Sequence, residues 1–144
     1  MTQDEWVMDR ILFRAKKSRL FEKRCIRADE MSSEQKGIIF RAIPNEITPV
    51  ILFWENANRW TVLGTRSISS CTNGTVVTCG LDEIKKCLRP VSVGQEVENI
   101  DKFESEYISL EKVGISVWAP SGGELLALMN ILLMFPVKLL VKDL

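Results

Sequence analysis

Between Arg59 and Ile84 the chain packs Val, Ile, Thr and Trp densely and interrupts them only at Gly64-Thr65 and Asn73-Gly74. β-Branched and aromatic side chains suit a pleated, half-buried surface. Asn-Gly suits the positive φ angles of a two-residue hairpin turn, which most residues adopt only at a steric cost. The pattern predicts a β-meander that turns at Asn73-Gly74 and runs on into Leu81-Asp82-Glu83-Ile84. A two-residue turn there sets Cys71 opposite Val76 and Cys79 opposite Ile68, so the hairpin does not bring the two thiols together.

The flanks differ in period. Trp6, Val7, Ile11, Leu12 and Ala15 recur at three- and four-residue steps, the spacing of an amphipathic helix. Ser32-Ser33-Glu34-Gln35 supplies an N-cap and first turn for a second helix through Ile38, Ile39 and Phe40, stopping before Pro44. Arg27 to Glu30 reads as the connection, and residues 1–46 as an N-terminal helical extension.

Residues 47–119 read as strands: Pro49 to Trp54, the meander, a short segment from Ile84 to Leu88 ended by Pro90, Phe103 to Leu110, and Gly114 to Trp118. They lie too close together for crossover helices, which predicts one antiparallel, barrel-like sheet of about seven strands. Residues 120–136 follow as an apolar helix, with Ser121 as N-cap and Glu124 as its capping-box partner. Its largely apolar run, Leu125 to Phe135, is 11 residues. A membrane span needs about 20, so the expected role is closure of the sheet. The fold class is α+β: a helical extension, a seven-stranded antiparallel barrel-like sheet, and a closing C-terminal helix, in a single domain of 144 residues.

Composition narrows the chemistry. The chain has no histidine, hence no imidazole base near neutral pH and no Ser-His or Cys-His pair. Its glycines form no phosphate-cradling motif. Cys25, Cys71, Cys79 and Cys87 contain no CxxC spacing, so free, mostly buried thiols are expected, with no metal and no cofactor. Met1 to Glu5 opens acidic and no apolar secretory core follows. Together these predict a cytoplasmic, non-enzymatic protein.

Lysine plus arginine balances aspartate plus glutamate at 19 each, which argues against a general nucleic-acid binder. The balance hides a polarity. From Arg10 to Arg27 eight basic residues (Arg10, Arg14, Lys16, Lys17, Arg19, Lys23, Arg24, Arg27) face one acid, Glu22. From Glu96 to Glu111 six acids (Glu96, Glu98, Asp101, Glu104, Glu106, Glu111) face only Lys102.

Trp60 to Ile68, then Val76-Val77 and Leu81-Asp82-Glu83-Ile84, resemble the pleckstrin-homology-like and GRAM domains of bacteria over roughly residues 48–135. Gly64 stands where that pattern has Thr at the turn. Bacterial relatives of this layout occur among immunity proteins that neutralise polymorphic or contact-dependent toxins. The resemblance therefore implies a protein that occludes the active site of a cognate toxin, a nuclease being the partner such acidic charge would suit. Glu96, Glu98, Asp101, Glu104 and Glu106 would provide the complementary charge, with Trp54 as an apolar anchor. The alternative is a pleckstrin-homology/GRAM-like module that binds anionic lipid or a protein partner through Arg66, Lys85, Lys86, Arg89 and the basic N-terminal helix. Membrane contact belongs to that alternative; direct nucleic-acid binding belongs to neither.

Overall fold

The computed structural model describes residues 2–44, 47–84, 88–91 (backbone only), 106–110 and 115–135. Helix α1 (Gln3–Lys17) begins where the Thr2 hydroxyl accepts the Glu5 N–H at 3.1 Å. Asp4 and Glu5 lie in its first turn and Arg14, Lys16 and Lys17 in its last, each complementing the nearer end of the helix dipole. Val7, Ile11 and Ala15, four residues apart, form its buried stripe. Helix α2 (Ser33–Ala42) starts at the expected capping box: Gln35 N–H donates to the Ser32 hydroxyl and Ser32 N–H to the Gln35 side chain.

The meander forms in the expected register. Strands β3 (Arg59–Gly64), β4 (Ser67–Thr72) and β5 (Thr75–Gly80) pair antiparallel, with Cys71 opposite Val76 and Ile68 opposite Cys79. Asn73 (φ 51°) and Gly74 (φ 80°) supply the left-handed turn. Gly64 is required by close approach: a Cβ there would lie 2.6 Å from Ile47 Cγ2 and 2.8 Å from the Thr48 carbonyl oxygen.

The single seven-stranded, barrel-like sheet does not form. Among the described residues there are two open antiparallel sheets. One has the order β1-β2-β3-β4-β5, with β1 at Cys25–Arg27 and β2 at Pro49–Asn56. The other has the order β6-β7-β8, at Leu88–Val91, Tyr107–Leu110 and Ile115–Trp118. Two causes are visible. The N-terminal segment is not wholly helical, because Cys25, Ile26 and Arg27 pair with Phe53, Leu52 and Ile51 and extend the large sheet. And β8 crosses the face of β3 and β4 instead of continuing their ladder.

Alternation along β2, β3 and β4 gives the large sheet two packed faces. Leu52, Trp60, Val62 and Cys71 point toward α2, where they meet Met31, Ile39 and Ile43. Ile51, Phe53, Leu63 and Ile68 point the other way, into a core shared with α1, β7, β8 and the C-terminal helix α3 (Gly123–Leu132). Side-chain hydroxyls join the sheets. Thr61 donates to the Trp118 carbonyl, Trp118 N–H donates to Ser70 Oγ at 2.9 Å, and the two hydroxyls meet at 2.7 Å.

Helix α3 does not start as expected. Its N-cap is Gly122, at φ 90° and ψ −132°, with no side-chain cap. This backbone geometry favours glycine and starts the helix one residue later than a Ser121 cap would. Glu124, released from any capping box, is buried and accepts a 2.9 Å hydrogen bond from Arg24 Nε. No helix among the described residues is long and apolar enough to cross a membrane.

Candidate functional site

The thiols are placed as core residues. Cys25, Cys71 and Cys79 are free and buried; Cys87 lies outside the described residues. Burial, reinforced by the Glu124 charge, pushes the Cys25 thiol up to about 12. Burial, with Glu83 beside it, pushes Cys79 up to about 11. Burial also raises Cys71. The nucleophilic form is the thiolate, so at neutral pH these three are packing groups. Among the described residues no cluster of His, Cys, Asp or Glu is arranged to hold a metal ion.

The acidic candidates fall mostly out of view: Glu96, Glu98, Asp101 and Glu104 lie outside the described residues. Glu106 is seen at the start of β7, 3.8 Å from Arg59 Nη1, which also pairs with Glu55 at 3.3 Å. Trp54 is half-buried against the α2-facing cluster. Arg59 and Glu55 alternate to the opposite face of the sheet, so Trp54 and Glu106 do not share a surface. Of the tryptophans, Trp60 and Trp118 are fully buried.

The basic candidates are also dispersed. Arg66, on the β3–β4 turn, makes a two-pronged contact with Asp4 on α1, at 3.0 and 3.1 Å, and pins the start of that helix to the sheet. Arg89 stands on β6 opposite Ser109. Lys85 and Lys86 lie outside the described residues.

The structure instead assembles a cleft from two helices remote in sequence. Arg14, Lys17 and Ser18 project from the end of α1; Ala127, Asn130, Ile131, Leu133 and Met134 come from the second half of α3 and the turn after it. The cleft holds about 530 Å³, within the roughly 300–1,000 Å³ of small-ligand sites. Arg14, Lys17 and Ser18 have the i, i+3, i+4 spacing of one helix face, and so do Ala127, Asn130 and Ile131.

Charge in this cleft has one sign. Among the described residues, Arg14 and Lys17 are its only ionisable lining groups. Each nearby helix C-terminus contributes about half a negative charge, so the two cations prevail. Arg14 Nε is buried and has no hydrogen-bond partner among the described residues, whereas Arg19, Arg24 and Arg27 in the same basic run are paired with Glu22, Glu124 and Asp29. Beside the cleft, Phe13 is 54% exposed and Leu133, in its wall, 41%. Arg10 stacks its guanidinium 5.0 Å from the Phe13 ring centroid.

Arg14 and Lys17 belong to the basic run visible in the sequence. Their partners from α3 gave no such signal, because Ala127, Ile131 and Met134 at helical spacing read as core. No protein-family model matches this chain, and comparisons with characterised proteins and with solved structures likewise give no match.

Proposed function

We propose that this chain is a cytoplasmic, non-catalytic binding protein that docks on an anionic lipid surface through the C-terminal half of α1 and the end of α3. The observation that carries the reading is Arg14, whose buried Nε has no partner among the described residues, and Lys17, set in a cleft whose wall exposes Leu133, with Phe13 exposed one position before Arg14 on α1. Basic groups interleaved with exposed apolar side chains are what an interfacial helix uses: cations for the headgroups, aromatic and aliphatic tips for the acyl boundary.

Co-sedimentation with vesicles tests this. Anionic phosphatidylserine or phosphatidylglycerol vesicles are expected to pull the protein down at low salt, phosphatidylcholine vesicles are not, and binding should weaken as salt rises. Charge reversal at Lys16 and Lys17 should abolish the pull-down. Failure of anionic vesicles to bind at low salt overturns the reading.

A second reading, neutralisation of a toxin, draws support from the rim where Glu55 and Glu106 flank Arg59 and leave one uncompensated negative charge. In that case reversing Glu98, Asp101 and Glu104 to Lys slows association with the toxin; unchanged association kinetics would refute it.

A further inference from the structure

We infer that the α1–α3 cleft takes a single anionic amphiphile, a carboxylate or phosphate monoester on one acyl chain, and holds it as a monomer. The inference deepens the lipid-surface reading and rests on it for the sign of the charge.

The lining is divided by chemistry. On the α1 side are Arg14, Lys17 and the Ser18 hydroxyl; on the α3 side Leu133 and Met134 offer accessible apolar surface over the buried Ala127 and Ile131, with Asn130 the one polar group among the described lining residues. A small inorganic anion would use the first wall and leave the second wet; a neutral hydrocarbon would use the second and leave two cations unmatched. A ligand with a charged head and an apolar chain satisfies both.

The buried Arg14 Nε gives the head its position. An N–H group shielded from water without an acceptor carries an unmet desolvation cost, and no carboxylate lies among the described residues lining the cleft. An incoming carboxylate or phosphate oxygen supplies the missing acceptor, and a guanidinium can engage such a group with two parallel N–H donors. Lys17, one turn along α1, adds a second charge for the same head. Met134 lends an unbranched, adaptable wall to a chain of variable length.

The test is calorimetric titration of the full chain with octanoate, decanoate and dodecanoate, and with dodecyl phosphate, all below the concentrations at which they form micelles. Dodecanol and inorganic phosphate serve as half-ligands. The expected result is affinity rising about threefold to fourfold per added methylene until the cleft is filled, at least tenfold weaker binding of dodecanol, and none of inorganic phosphate. Carboxylate and phosphate arms show which head is preferred; either satisfies the inference. Arg14→Met should lose at least tenfold in amphiphile affinity while remaining at least as stable as the parent chain in urea, because it removes a buried donor that has no partner among the described residues. Asn130→Trp, at an exposed position in the wall, should block the chain without removing charge.

Vesicle binding without monomer binding overturns this inference and leaves the surface-docking reading standing. Absence of both overturns both. Chain-length dependence that survives Arg14→Met and Asn130→Trp together places the ligand elsewhere and equally overturns the inference.

Discussion

Ser70 can be replaced by Ala to ask whether two hydroxyls hold the sheets in register. Thr61 and Ser70 are essentially inaccessible to solvent, at 0% and 1% exposure. Donor count fixes the direction of their bonds. Thr61 gives its one proton to the Trp118 carbonyl, so Ser70 must donate to Thr61 and accept the Trp118 N–H at 2.9 Å. Ser70→Ala therefore leaves a buried backbone N–H without an acceptor, which costs about 1–3 kcal/mol. Thr61→Val keeps the side-chain shape but removes the bond to the Trp118 carbonyl and the acceptor of the Ser70 proton, leaving no buried N–H unpaired. The displaced Ser70 proton can turn to the Trp60 carbonyl at 3.4 Å. The expected order is Ser70→Ala worse than Thr61→Val, with the double variant well short of the sum. At 2 kcal/mol, and a urea slope of about 2 kcal/mol per molar, the midpoint for Ser70→Ala falls by about 1 M. Urea unfolding followed by tryptophan fluorescence reads this directly. A Ser70→Ala midpoint within 0.2 M of the parent, or a costlier Thr61→Val, would show that the crossing of β8 over β3 and β4 is held by apolar packing alone.

Arg24→Met should destabilise more than Glu124→Gln, by about 1–3 kcal/mol in urea after discounting for the exposed guanidinium, because it strands a buried carboxylate. Gly64→Ala should cost about 1–3 kcal/mol in the same assay, as its methyl would press on the Thr48 carbonyl as well as on Ile47. Cys25 and Cys79 should resist iodoacetamide in the native state and react on unfolding. Their folded-state values lie above the ordinary value of 9.0, so the stability they carry is complete below pH 9 and declines as pH rises toward about 11 and 12; a pH series of melting temperatures checks the sign. Asp4 is the reverse case: its hydrogen bond to Arg66 holds its carboxyl below 3.8, so the contribution is present above that value and lost as pH falls through the lowered one. Asp4→Asn should flatten that acid limb.

What could be read from sequence was local. The period-2 pattern and Asn73-Gly74 determine the β3–β4–β5 register because everything that decides it lies within a few residues. The same holds for the Ser32–Gln35 capping box. β1 escaped notice because three residues, Cys25 to Arg27, carry no period, and their pairing with Phe53 to Ile51 is a contact across the fold. The division into two sheets sets the hydroxyls of Thr61 and Ser70 against the backbone of Trp118, far along the chain, a contact no local pattern announces. Ser121 carried a capping signal that the Gly122 dihedral overrode. The cleft was half legible: the basic run was plain, but helical spacing in α3 cannot say which of its stripes faces the core and which faces another helix.

On the proposed reading, the cleft would be a better seat for recognition than the basic run taken as a whole. α1 is anchored along Val7, Ile11 and Ala15, which fixes the backbone that carries Arg14, and burial of Nε confines its stem. Most of the entropy needed to hold a guanidinium in place has then been spent in folding, and a ligand need not supply it again. Three other arginines of the basic run are paired where they stand: Arg19, Arg24 and Arg27 each have a carboxylate, and Arg24 is committed to the buried Glu124, while Arg10 stacks on Phe13. Such pairs serve structure and leave little field for a partner. An arginine that is positioned by the core yet left without an acceptor imposes a small stability cost in the free protein, and that cost is recovered only when an anion arrives.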